Sequence, residues 1–207
     1  MSRAIDGRLE KLLAAFDRRI TAPIGPQSLQ MLYNAKNYKG MVQWIQKSMR
    51  LDLGVGLSIV DDEQKPPMWI VVPQPMPAYG TAAFRRSYVT VFIRRDILVT
   101  KPFEWIVAGL AHELSHVVLF SMDHELQHDE KAVDLTAMIL GYQNFISDAE
   151  IVKNEGGGAL WILTLLLLPL GMIFLPGSRT QTERLGYLTS EEAVFAKRQL
   201  ARIGYKS

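Results

Sequence analysis

With 207 residues, the chain can bury one sizeable core but not comfortably two. A hydrophobic share of 48% against 21% charged excludes extended disorder, and a net charge of +2 without a long Lys/Arg run gives no electrostatic case for nucleic acid. Cysteine is absent, which excludes disulfides and thiolate-held zinc, so any zinc must be held by histidine and carboxylate.

The opening stretch, MSRAIDGRLEKLLAAFDRR, is charged every few residues and lacks an apolar h-region. It therefore predicts no secretory leader and a cytoplasmic location. Ile5, Leu9, Leu12, Leu13, Phe16 and Ile20 recur at helical spacing, predicting a core-packing amphipathic helix over 5–20. Ala22-Pro23-Ile24-Gly25-Pro26 breaks it. A second helix is expected from about Ser28 to Met49, interrupted near Gly40.

Strand texture follows, rich in Val, Ile and aromatics, in LDLGVGLSIV (51–60), MWIVVP (68–73) and YVTVFIRRDIL (88–98). DDEQKPP and MPAYGTAAF separate these segments as turns and loops. From Pro102 onward the pattern is helical again. Helices, about three strands and helices once more read as α+β in a single domain. Its parts are an N-terminal helical part (1–50), a sheet with the motif-bearing helices (51–148), an apolar segment (157–176) and a C-terminal helix (189–203).

All four histidines fall in two H-E-x-x-H pentads, His112-Glu113-Leu114-Ser115-His116 and His124-Glu125-Leu126-Gln127-His128. On a helix, residues four apart share a face, so two imidazoles can meet one tetrahedral zinc while the intervening glutamate reaches its water. Spacing is the same in both copies, and context separates them. The first lies in the apolar run FEWIVAGLAHELSHVVLF; the second is flanked by Asp123, Asp129 and Glu130 and reads as a polar bend with surface histidines. A third ligand is needed. Position 122 is methionine, so a histidine six residues after the pentad is ruled out. His124 and His128 are alternatives, but Glu130 in Glu130-Lys131-Ala132-Val133-Asp134 is preferred, because Glu130 and Asp134 again share a helix face. Glu130 would coordinate, and Asp134 would accept the outer N–H of a ligating histidine. One site is thus expected, with one Zn²⁺ on His112, His116 and Glu130.

H-E-x-x-H followed by E-x-x-x-D resembles the gluzincin metallopeptidases in minimal form. It is similar to the membrane-associated CAAX-protease and HtpX-like heat-shock proteases and to the shorter ImmA/IrrE-type regulatory peptidases. The resemblance covers roughly residues 85 to 145; the first 50 residues match no such pattern, and the linker between the motifs is far shorter than in the CAAX-type enzymes. It implies a zincin-like fold with a small, mainly antiparallel sheet and an active-site helix pair. The strand over 88–98 would border the cleft and pair with substrate backbone. Glu113 becomes the general base, and His124, Tyr142 and Tyr79 are candidates for stabilising the oxyanion.

After Gly156-Gly157-Gly158 comes ALWILTLLLLPLGMIFL (159–175), without a charge but interrupted by Pro169-Leu170-Gly171. A simple span needs about 20 residues and would separate Arg179, Arg184, Lys197, Arg198 and Arg202 from a cytoplasmic zinc site. A hairpin insertion bent at Pro169 would keep both on the inner face; a buried core element is the alternative. TSEEAVFAKRQLARI opens with a Thr/Ser cap and acids, predicting an amphipathic helix that packs back on the domain. The expected function is a zinc-dependent endopeptidase acting on protein or peptide, at the inner face of a membrane. A metal-bound peptide- or partner-binding module and a metal-free membrane-associated scaffold are the alternatives.

Overall fold

The computed structural model describes residues 2–148 and 188–205. The apolar segment 159–175, with its expected bend and membrane role, lies outside the described residues. The N-terminal periodicity folds as α1, Ser2–Ala15, which buries Ile5, Leu9, Leu12 and Leu13. Full burial of one such side chain stabilises by about 1.5–3 kcal/mol. The next helical stretch is two helices, α2 (Gln27–Asn34) and α3 (Tyr38–Ser48). The break falls at residues 35–37 rather than at Gly40: Lys36 adopts a left-handed φ of 54°, and the Asn37 side chain accepts the Gly40 N–H to start α3.

Strands β1 (Gly54–Val60), β2 (Met68–Val71) and β3 (Tyr88–Arg94) form one sheet in the order β1-β3-β2. A short helix α4 (Ala82–Arg86) delivers the chain to β3. With the three strands gathered in one stretch, interrupted only by the short α4, and longer helices on either side, the fold is α+β. The sheet is mixed, not mainly antiparallel. β3 inserts between its predecessors, parallel to β1 over seven residue pairs and antiparallel to β2 over four. Val89, Val91 and Ile93 face the core. β3 is also shorter than expected, because Arg95–Thr100 is a helix, α5. The Arg94 guanidinium folds back on Asp96 and on the carbonyls of Glu63 and Lys65, which ends the strand.

Helix α6, Phe103–Ser121, runs through the centre and touches α2, α3, β2 and β3. By length and composition it could cross a bilayer, yet 83% of its most apolar stretch is buried in the fold. Polar turns lead to α7, Glu130–Ala137, which runs into a π turn at Met138–Tyr142 that is kinked at Gly141, and the chain is helical again over 143–148. Gly141 in that turn has φ 104°, and a Cβ there would lie 2.9 Å from the Ala22 carbonyl oxygen. The Pro23 linker thus packs directly on the turn, with the Ile24 N–H donating to the Gly141 carbonyl. The last helix, α8 (Ser190–Ile203), has the full reciprocal Thr189–Glu192 capping box and packs on α1 through a face containing Ala193, Ala196 and Leu200.

Candidate metal centre

His112 and His116 lie one turn apart on α6, and both reach the N-terminus of α7. Asp129 sets that N-terminus: its carboxylate accepts the N–H groups of Lys131 and Ala132, so α7 begins at Glu130. Glu130 Oε2 then sits 3.2 Å from His112 Nε2 and 3.5 Å from His116 Nε2. All three donor atoms lie within 4.8 Å of one another. A tetrahedral zinc with bonds of about 2.0–2.2 Å holds its ligand atoms about 3.3–3.6 Å apart. The two separations lie within about 0.1 Å of that edge, so the trio could hold one divalent cation.

The ring orientation of His112 is fixed from behind. Its Nδ1 lies 2.7 Å from Asp134 Oδ1, which leaves Nε2 facing Glu130. Asp134 is fully buried, and its other oxygen accepts the Leu188 N–H at 3.1 Å. Burial pushes the His112 imidazole down, but its hydrogen bonds to Asp134 and Glu130 outweigh this and carry it up to about 10. The same hydrogen bond to His112, helped by His116, draws Glu130 down to about 2. The electrostatics at this point therefore favour a positive charge between the carboxylates.

Glu113 is buried beside the trio. Desolvation raises its carboxyl, opposed by the two imidazoles and by a backbone hydrogen bond from Ile70. That bond follows from sheet geometry. The Pro67 carbonyl accepts the Arg94 N–H, so in an antiparallel ladder Trp69 and Val71 continue the exchange with β3. Met68, Ile70 and Val72 then turn their backbone groups to the edge that no other described strand pairs. That edge and α6 form the walls of a cleft of about 430 Å³, which holds His112, Glu113, His116 and Glu130. The strand bordering the cleft is therefore β2, not the stretch over 88–98, because β3 has a partner on each side.

The second pentad is turn, not helix. The His124 Nδ1 accepts the Leu126 N–H at 3.0 Å, and His124 does not line the cleft. Neither tyrosine reaches it. Tyr142 is fully buried in the π turn with its hydroxyl on Ser48 Oγ, and Tyr79 donates to the Arg50 carbonyl beside a separate cavity. Of the second pentad, Gln127 and His128 line the cleft, with His128 packed edge-on against Phe120. The β2 edge with Trp69 is the part of this site that the motif did not single out, and His128, an alternative third ligand by sequence, lies in the cleft without joining the trio.

Comparison with known proteins adds nothing to this picture: no family model matches the chain, and no curated protein and no solved structure does so.

Proposed function

We propose that the protein is a metal-dependent peptidase with His112, His116 and Glu130 as the ligands of one zinc ion and Glu113 as its general base. The carrying observation is the Glu130 oxygen at 3.2 and 3.5 Å from two imidazole nitrogens, with a buried carboxyl next to them in an open cleft. Zinc bound there supplies Lewis acidity, polarising a carbonyl and making water a better acid. The chain's own groups do the rest. Asp134 keeps the His112 proton on Nδ1 and the lone pair on Nε2. Glu113, raised by burial, takes a proton from the attacking water and returns it to the leaving amine. The carbonyl of Ile70 and the backbone of Val72 pair with an extended substrate, as any free strand edge can. His128 is the cleft imidazole not used in holding the metal, and we assign it to the developing oxyanion.

Among the described residues, no lysine or arginine lines the cleft. A binding-only metal module has no use for a buried carboxyl beside the ligands. The deciding experiment is Glu113→Gln. The variant is expected to keep about one zinc per chain and to lose chelator-sensitive cleavage of a peptide library by about 10²–10⁴-fold. Undiminished cleavage would remove Glu113 from the reaction, and a metal-free wild type would remove the proposal altogether.

A further inference from the structure

The start of the last described segment, Leu188 to Glu192, touches the proposed metal centre from behind. Asp134 is fully buried, and a buried carboxylate needs a partner on each oxygen. Oδ1 holds His112 at 2.7 Å; Oδ2 accepts the Leu188 backbone N–H at 3.1 Å, 54 residues along the chain. Four residues later, Glu192 closes on the residue next to the ligand Glu130: both its oxygens accept from Lys131 Nζ, at 2.7 and 2.8 Å. Glu192 is itself buried, and its Oε2 also accepts the Thr189 N–H, which fixes the turn between Leu188 and α8. The first turn of α7, which carries Glu130, is thus clamped on one side by Glu192. On the other side Asp129 pairs with Arg8 of α1 at 2.7 Å. Since α8 packs on α1, both clamps belong to one packed unit.

We infer that Leu188 and Glu192 are positioning residues for the metal centre: the Leu188 N–H orients Asp134 and thereby His112, and the Glu192–Lys131 pair sets the Glu130 end of α7. This rests on the proposed zinc-site reading. Binding of metal and docking of the C-terminal helix are then coupled, each strengthening the other.

The test uses the full chain and zinc alone. Zinc dissociation constants are measured by competition with a chromophoric chelator, and ligand geometry by the visible absorption of the Co²⁺-substituted protein. Leu188→Pro removes the donor, and Glu192→Gln weakens the clamp while keeping an acceptor for the cap. Glu191→Gln, on an exposed neighbour, is the charge-matched control. Leu188→Pro should weaken zinc binding by about 10–100-fold and shift the Co²⁺ bands. Glu192→Gln should do both to a smaller extent, and Glu191→Gln neither. If Leu188→Pro does not fold, the Glu192→Gln spectrum and constant decide alone. The inference is wrong if both variants keep the wild-type constant and spectrum, even where the urea midpoint of the metal-free protein falls. An unaltered chain that binds no zinc instead overturns the zinc reading, and this inference falls with it.

Discussion

Residues 112–116 and 124–128 spell the same five-letter pattern, twelve positions apart, and end in opposite states. The first is two turns from the end of a 19-residue helix, with both imidazoles on the face that meets α7. The second is the turn after that helix. There the His124 ring accepts a local N–H, and Glu125 and Asp129 pair with Lys11 and Arg8 of α1. Equal spacing in sequence gives a shared face only when the backbone between is helical. In the first copy burial makes it so, because apolar residues on every side of α6 leave the chain no better state than a core helix. In the second, Asp129 caps the next helix and so forces the preceding residues out of one.

The sharpest way to break this contrast is to delete one histidine from each copy. His112→Ala should abolish stoichiometric zinc, since it removes one of three proposed ligands and leaves Asp134 buried without its imidazole. His124→Ala should bind zinc as wild type does. Atomic absorption on both purified proteins decides it, and zinc retained by His112→Ala would remove the first pentad from metal binding.

A second test divides the second pentad. His128 lines the cleft and His124 does not. His128→Ala is expected to lower kcat by about 10²-fold with KM little changed, as for loss of one oxyanion donor. His124→Ala should leave both constants alone. Equal effects from the two would mean that the pentad acts through the stability of its turn.

What the motif could convey is set by the range of the interactions involved. His112, Glu113, His116, Glu130 and Asp134 could be picked out because each relation within the pairs is local, one helical turn, and the apolar run shows which copy is helical. The α+β class was legible for a similar reason, as strand and helix textures are local. The identity of the cleft strand was not. It depends on β3 inserting between β1 and β2, a long-range pairing with no signature in any one segment. Tyr142 and Tyr79 were drawn towards the site by chemistry alone, yet the first is turned into the core by the π turn and the second belongs to another cavity. The helix break at Lys36 was equally silent, since lysine carries no preference for a left-handed φ.

Acidity sharpens the contrast further. In metal-free protein His112 is raised to about 10, so it contributes stability that is complete below about pH 6.5 and lost as pH rises through 10. Glu130, drawn to about 2, contributes stability present above its ordinary value near 4.5 and lost as pH falls through 2. Between pH 6.5 and 10 the metal-free chain should therefore weaken, at a limiting slope of about 1.4 kcal/mol per pH unit. In the proposed site zinc would take the place of the His112 proton, so zinc affinity should rise by up to about tenfold per pH unit over the same range. Calorimetry at pH 7.5 in two buffers of different ionisation enthalpy should report close to one proton released. No release would mean that His112 is already neutral, and that Asp134 and Glu130 do not hold a positive charge at this point.

The smallest effect concerns the polar copy itself. Lys11–Glu125 spans 2.9 Å, but both side chains are more than half exposed, and such pairs contribute about 0–1 kcal/mol. Glu125→Gln should therefore change the urea midpoint slightly and zinc affinity not at all, whereas the same exchange at Glu113, in the matching position of the first copy, should stop the proposed chemistry. Arg8–Asp129 is less exposed, and Asp129 also caps α7. Asp129→Ala should thus cost about 1 kcal/mol through the cap and carry a loss of zinc affinity with it, because α7 begins at the ligand. Should Glu125→Gln weaken zinc as much as Asp129→Ala does, the turn holds the metal centre as one piece. The second pentad would then be a functional part of the first.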